Sequence, residues 1–145
     1  MSNTDQDNPH LTLADTARRL GECIWVEERL FELLGALVLS DLPAPTRVTL
    51  AECSRRAAWR AEQLRARLPE VPGFAADDVV VDPAVESLDG ASLEVLVTRV
   101  VPWLEASYVR HVEWCSPVSD ASVARTLDVV LDDLRRDDAL LETTL

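Results

Sequence analysis

The unequal spacing between the predicted helices constrains this chain more than any other feature. About 22 residues, 69–90, separate the second helical run from the third, whereas about seven separate the first two and almost none separate the last two. Short connections join antiparallel neighbours, and a long one can run the length of a bundle. The spacing therefore predicts an all-α four-helix bundle, in which two antiparallel hairpins are joined by one long crossover between helices two and three.

Capping residues and prolines mark where these helices begin and end. Thr12, with Asp15 three residues later, has the pattern of a capping box at the start of the first helix. Thr46 and Thr49 are alternative caps for the second helix, and Ser116, followed by proline, is the predicted cap of the fourth. The predicted helices span residues 12–39, 47–68, 91–115 and 118–142, with the crossover at 69–90.

The composition suits one globular domain. The chain has 145 residues, of which 48% are apolar and 28% charged. We expect residues 1–11 to be a flexible acidic tail and residues 12–145 to form a single domain. No apolar stretch approaches the roughly 18 residues that cross a bilayer, and the first ten residues do not resemble a signal peptide. These features predict a cytoplasmic protein that does not span or bind a membrane.

The charged residues and cysteines exclude several kinds of site. The net charge of -12 opposes binding to nucleic acid or to anionic lipid. All 14 basic residues are arginine, so Schiff-base chemistry and P-loop phosphate binding by lysine are excluded. Cys23, Cys53 and Cys115 are far apart and form no CxxC motif, so neither a disulfide framework nor a zinc knuckle is indicated.

A carboxylate interrupts the apolar stripe of the first predicted helix. Apolar residues follow one another there with alternating spacings of three and four, and the position between Ile24 and Phe31 is Glu27. An ionised side chain in a core stripe needs a partner, because an unpaired buried charge is costly. We therefore expect Glu27 to be neutralised from a neighbouring helix.

The hairpin geometry indicates which residues lie near Glu27. In a tight first hairpin, positions whose numbers sum to about 86 face each other, so Glu27 lies level with Trp59, between Arg56 and Glu62. Two interpretations are open. One is a buried ion pair, and the other is a polar pocket in which arginine binds a small anionic ligand with two hydrogen bonds. The arginines available for either role are Arg55, Arg56 and Arg60.

The third predicted helix carries a histidine and a tyrosine on its inward side. His111 belongs to the apolar stripe, and Tyr108 lies one turn earlier. His111 and Cys115 are four residues apart, a spacing that two metal ligands can use, but the alternative is a histidine satisfied by the helix C-terminus. Pro102 cannot donate a backbone hydrogen bond, so we expect a kink near it.

Two hairpins, a long crossover and a glutamate in the middle of the first helix resemble the ferritin-like superfamily. The similarity covers about residues 12–142, and the segments WVEERLFELLG, SRRAAWRAEQLRARLP and SPVSDASVARTLDVVLDD are similar to small bacterial ferritin-like proteins without an assigned reaction. Di-iron members of that superfamily carry two Glu-x-x-His motifs. Here Glu27 matches one glutamate ligand, but the candidate motifs read Glu52-x-x-Arg55 and Glu62-x-x-Arg65. The resemblance thus implies the fold without a metal site or cofactor.

These observations support one leading hypothesis and two others. The leading one is a metal-free bundle, not an enzyme, that binds a protein partner or a small ligand. The second is an enzyme with an atypical mononuclear metal site or with acid and base chemistry around Glu27, and the third is a homodimer that covers exposed tryptophans. The candidate ligand-binding residues are Glu27, Arg55, Arg56, Trp59, Glu62, Tyr108 and His111.

Overall fold

A computed structural model describes residues 10–74 and 79–145, and these residues form five helices and no strand. The prediction of an all-α protein is confirmed. Residues 1–9, most of the predicted acidic tail, lie outside the described ranges. Four helices are continuous: α1 (Leu13–Val38), α2 (Ala44–Arg65), α3 (Pro83–Glu86) and α5 (Ala121–Glu142). Helix α4, which lies between α3 and α5, has three parts: Leu93–Val95, a π-helical segment at Leu96–Val100, and Val101–Trp114.

The start of α1 follows the predicted capping box. The Thr12 hydroxyl accepts a hydrogen bond from the backbone N–H of Asp15 at 3.1 Å, and the Asp15 carboxylate accepts one from the backbone N–H of Thr12 at 3.2 Å. Two donors that would otherwise lack partners are satisfied in this way. The bounds of α1 therefore agree with the predicted ones to within one residue.

The predicted starts of two helices were wrong by about one turn. Helix α2 begins at Ala44, because Pro45 is tolerated in a first turn, where its missing N–H is not needed. Helix α5 begins at Ala121 rather than at residue 118. The Ser116 hydroxyl accepts hydrogen bonds from the backbone N–H groups of Val118 at 3.3 Å and Ser119 at 3.4 Å, as a cap does, but it caps the turn before the helix. The backbone N–H of Ser116 also donates to the Asp120 carboxylate at 2.7 Å, which closes that turn. Helix α2 also ends at Arg65, three residues before the predicted end.

Helices α1 and α2 form an antiparallel hairpin. The Arg47 Nε donates to the carbonyl of Val38, and the Ser54 hydroxyl donates to the carbonyl of Phe31, both at 2.8 Å. The residue numbers of each hydrogen-bonded pair sum to 85, close to the sum of about 86 expected for a tight hairpin. Helix α5 packs against α2 and α4, and the buried side chains of all four long helices form one apolar core.

The chain between α2 and α4 lies partly against α1. Gly21 makes this possible, because a Cβ atom added there would come within 2.8 Å of the Val79 Cγ2. Val81 is buried and Val80 is exposed, as in an extended strand-like segment, although residues 75–78 lie outside the described ranges. The backbone N–H of Asp82 then donates to the Glu22 carboxylate at 2.9 Å. The short helix α3, which follows Asp82, was not predicted.

The distortion expected near Pro102 takes the form of the π-helical segment. The backbone N–H of Val101 donates to the carbonyl of Leu96, five residues earlier. Pro102 has no N–H to continue an α-helical ladder, so a wider turn before it accommodates the free carbonyls. Across the ranges that the structure describes, no helix combines the length and the apolar character needed to cross a bilayer.

Candidate functional site

Glu27 and Arg60 form an ion pair at the centre of the protein. The Arg60 Nε donates to the Glu27 Oε1 at 2.8 Å, and the Arg60 Nη2 donates to the Glu27 Oε2 at 3.0 Å. Both side chains are 0% exposed. This two-point geometry matches a guanidinium to a carboxylate and gives the pair a fixed orientation.

Tyr108 completes the surroundings of Glu27 from helix α4. Its hydroxyl donates to the Glu27 Oε1 at 2.6 Å, so the carboxylate accepts three hydrogen bonds from two helices. An ionised carboxylate only accepts hydrogen bonds, and every group hydrogen-bonded to Glu27 here is a donor. The arrangement is therefore that of an ionised Glu27.

Two aspartates of α5 bind the other side of Arg60. The Arg60 Nη1 donates to the Asp133 Oδ2 at 2.8 Å and to the Asp137 Oδ2 at 2.7 Å. Asp137 also accepts a hydrogen bond from the Nε of Arg56, which lies one turn before Arg60 on α2. We call this group the Arg60 cluster, and its members are Glu27, Arg56, Arg60, Tyr108, Asp133 and Asp137.

Burial and charge shift the pKa values within the cluster. Burial raises the pKa of the Glu27 carboxyl, and the hydrogen bonds from Arg60 and Tyr108 oppose that effect. Burial also raises the pKa of the Tyr108 hydroxyl, and the adjacent Glu27 raises it further, so Tyr108 keeps its proton. Burial alone would lower the pKa of Arg60, but Glu27 and Asp137 outweigh it and the pKa is raised. Arg60 is therefore a permanent cation.

The structure brings together only some of the residues that the sequence singled out. Glu27, Arg56 and Tyr108 belong to the Arg60 cluster. Arg55 and Glu62 are exposed on the outer side of α2 and do not contact Glu27, and Trp59 beside them is 38% exposed. The reason is the helical period, since residues on that side of α2 point away from both α1 and α5.

His111 is buried apart from the Arg60 cluster. It is 1% exposed, and neither ring nitrogen has a hydrogen-bond partner in the part of the chain that the structure describes. Its pKa is lowered to about 4 by burial and by the Arg19 guanidinium, which Asp120 only partly offsets. His111 is thus a neutral side chain, and the dipole-stabilised cation considered from the sequence does not form.

Three cluster members are absent from the candidate residues of the sequence analysis. They are Arg60, which was named only as one of three arginines near Glu27, and Asp133 and Asp137. A signal for Asp137 was available in the sequence. It stands between Leu134 and Leu141 with spacings of three and four, which is the same interruption of an apolar stripe that identified Glu27. Asp133 gives no such signal, because it lies beside the stripe and reaches Arg60 from a partly exposed position.

The described residues do not offer a metal site. Across residues 10–74 and 79–145, no group of three or more His, Cys, Asp or Glu side chains is placed to hold a metal ion. The three carboxylates of the cluster converge instead on guanidinium groups, which cannot act as ligands. The residues present therefore do not fit the di-iron centre of the ferritin-like superfamily.

The cluster has little capacity to bind an added ligand. Arg60 already makes four hydrogen bonds with its five N–H groups.

Two surface clefts lie away from the Arg60 cluster, and no cluster member lines either of them. One, of about 310 Å³, lies beside Trp25 and Arg29. Another, of about 460 Å³, is lined by Leu11, Asp15, Arg18, Arg19, Glu22 and Val80.

Comparison of the chain with protein-family models, curated proteins and solved structures finds no match.

Proposed function

We propose that this chain is a metal-free helical bundle that acts by binding a protein partner at its surface. The fold we propose is a four-helix bundle in which the hairpins α1–α2 and α4–α5 are joined by one crossover, as in the ferritin-like superfamily. The resemblance in helix order, and the central position of Glu27, support this connectivity. The short α3 then lies within the crossover.

The observation that carries the proposal is the closed hydrogen-bond network around Arg60. Glu27 accepts three hydrogen bonds and is 0% exposed, so a substrate or anion would have to displace Arg60 or Tyr108 to reach it. Separating this buried pair would leave uncompensated charges in the core. The centre of the protein therefore has a structural role, and binding takes place on the outside.

Elemental analysis of the chain purified without chelator tests the metal-free part of the proposal. We expect far less than one iron, manganese or zinc ion per chain, both as purified and after incubation with each ion and dialysis. The variant Glu27→Gln is the matched control. About one or two ions per chain, lost in that variant, would contradict the proposal and favour a metalloenzyme.

An affinity experiment tests the binding part. The purified chain is immobilised through its N-terminal end and used to capture partners. Binding of each captured protein is then measured to the variant Arg60→Lys and to variants with substitutions at exposed residues. We expect surface substitutions to abolish capture and substitutions in the cluster to affect only stability. Capture that depends on a cluster residue in a folded variant would contradict the proposal.

A further inference from the structure

The outer side of α2 is an unpartnered face with a tryptophan at its middle. Ser54 contacts α1 on one side of the helix, and Arg56 and Arg60 contact α5 on the other, so the surface between them is free in the described structure. Trp59 is 38% exposed and Val48 is 60% exposed. The α2 outer face consists of Val48, Glu52, Arg55, Trp59, Glu62 and Ala66, all exposed, with spacings of four and three.

When two copies of this helix are placed antiparallel, their exposed charges are complementary. Between residues 48 and 66, the length of the α2 outer face, the exposed charges read Glu52, Arg55, Glu62 and Arg65, which alternate negative and positive. In an antiparallel alignment about the point between residues 58 and 59, Arg55 of one copy lies opposite Glu62 of the other. The same alignment places Glu52 opposite Arg65. A parallel alignment in the same register would place like charges together, so the pattern selects the antiparallel one.

Arg55 and Glu62 are available for such contacts. Neither forms an ion pair with any residue among 10–74 and 79–145. They are seven residues apart on one helix, roughly 10 Å along its axis, so they are too far apart to pair within one chain. Glu52 and Arg65, by contrast, already pair with Arg56 and with Glu28 of α1, so their pairing across the interface is secondary.

We infer that a second copy of this chain binds the α2 outer face, antiparallel, about a two-fold axis beside Trp59. Two-fold dimers use the same patch on both subunits, and this patch is self-complementary in charge. The Trp59 rings meet near the axis, where an aromatic residue contributes most to an interface. Arg55 and Glu62 form two symmetric ion pairs around them, and Glu52 and Arg65 lie at the ends.

The expected dimer is a weak one. The area of one helix face is smaller than the roughly 800 Å² per partner of a standard interface, and the flanking ion pairs are exposed to solvent. We therefore expect dissociation constants in the micromolar range, and a clear dependence on ionic strength.

Charge exchange between the two positions tests the interface directly. Sedimentation equilibrium from about 5 µM to about 1 mM would measure self-association of the full chain, of Arg55→Glu and of Glu62→Arg. Each single variant converts both attractive pairs into repulsive ones, so we expect its homodimer to be about tenfold weaker or more. An equal mixture of the two variants restores both attractive pairs in the heterodimer, and we expect association within about threefold of the unchanged chain.

Matched controls use exposed charges elsewhere. Arg136→Glu on α5 and Glu113→Arg on α4 change the net charge in the same way, and we expect neither to alter association, alone or mixed. Trp59→Ala should also weaken the dimer, and far-UV circular dichroism confirms that each variant is folded. A chain that stays monomeric at about 1 mM, or a mixture that associates no better than its components, would overturn the inference.

This inference deepens the proposed function, because it names a second copy of the chain as one protein partner. The two tests fail independently. A stoichiometric metal ion would contradict the metal-free bundle and leave the association data unchanged, whereas a monomeric chain would remove this interface and leave the metal analysis unchanged.

Discussion

Glu27 on α1 and Arg60 on α2 are joined at two points and are both fully buried. Because Arg60 also binds two aspartates of α5, and Tyr108 of α4 binds Glu27, this one pair connects all four long helices. A buried network of this kind fixes the relative positions of the helices, and its cost is high when any member is left without a partner.

Replacing Arg60 by methionine should strongly destabilise the protein. The substitution leaves Glu27 without its counter-charge and removes one partner each from Asp133 and Asp137, so we expect a loss of about 3–5 kcal/mol in the free energy of unfolding. Urea denaturation monitored by circular dichroism measures this loss. The control Arg99→Met removes an exposed arginine from α4 and should change stability by less than about 0.5 kcal/mol. Equal effects of the two substitutions would show that the cluster does not stabilise the fold.

Replacing Tyr108 by phenylalanine should have a smaller effect. It deletes one hydrogen bond to a charged group without changing the packing of the ring, so we expect a loss of about 1.5–3 kcal/mol. The same substitution in a Glu27→Gln background should cost less, since the acceptor is then neutral. A double-mutant cycle by urea denaturation measures the difference, and additive effects would contradict a direct hydrogen bond.

Gly21 should be needed for the close approach of the segment between α2 and α4 to α1. In Gly21→Ala the new methyl group would come within 2.8 Å of the Val79 Cγ2, and valine is a stiff side chain that cannot easily turn away. We expect a net loss of about 1 kcal/mol despite the better helix propensity of alanine. Thermal unfolding should show recovery in Gly21→Ala combined with Val79→Ala.

Gly35→Ala is the matched control for that experiment. Its added Cβ atom would lie 3.4 Å from the Ser54 hydroxyl, close to an ordinary contact. The gain in helix propensity, up to about 1 kcal/mol, should then make this variant as stable as the unchanged chain or more stable. Destabilisation of both variants to the same extent would mean that the contact with Val79 is not the cause.

His111 should make the protein less stable in acid. Its pKa in the folded chain is about 4, below its ordinary value of 6.5, so the unfolded chain binds the proton more tightly and protonation favours unfolding. The resulting loss begins as the pH falls below about 6.5, and it reaches about 3 kcal/mol near pH 4.

The variant His111→Phe isolates this contribution. It loses no hydrogen bond, because neither ring nitrogen has a partner within the described structure, so its stability at neutral pH should equal or exceed that of the unchanged chain. Urea denaturation across the pH range should show a weaker acid dependence in the variant. Parallel pH profiles for the two proteins would contradict a neutral, buried His111.

Much of the helical pattern, and the position of one site residue, followed from the sequence. Capping residues and apolar periodicity gave the existence of the long helices, because these signals act within a few turns of the chain. The hairpin register placed Glu27 opposite the Arg56–Arg60 turn of α2, since a short connection leaves little freedom. The start of α2 was missed because Pro45 is tolerated in a first turn, and the start of α5 was missed because residues 116–120 form a separate turn before it.

The choice of partner for Glu27 depended on the tertiary structure. Arg55, Arg56 and Arg60 occur within two turns, and the sequence offered no means to choose among them. Their roles were decided by α5, whose Asp133 and Asp137 bind Arg60 and Arg56 from more than 70 residues away, while Arg55 is left on the outer face. Local periodicity determines which side of a helix is buried, but only the packing of distant helices determines which charges meet there.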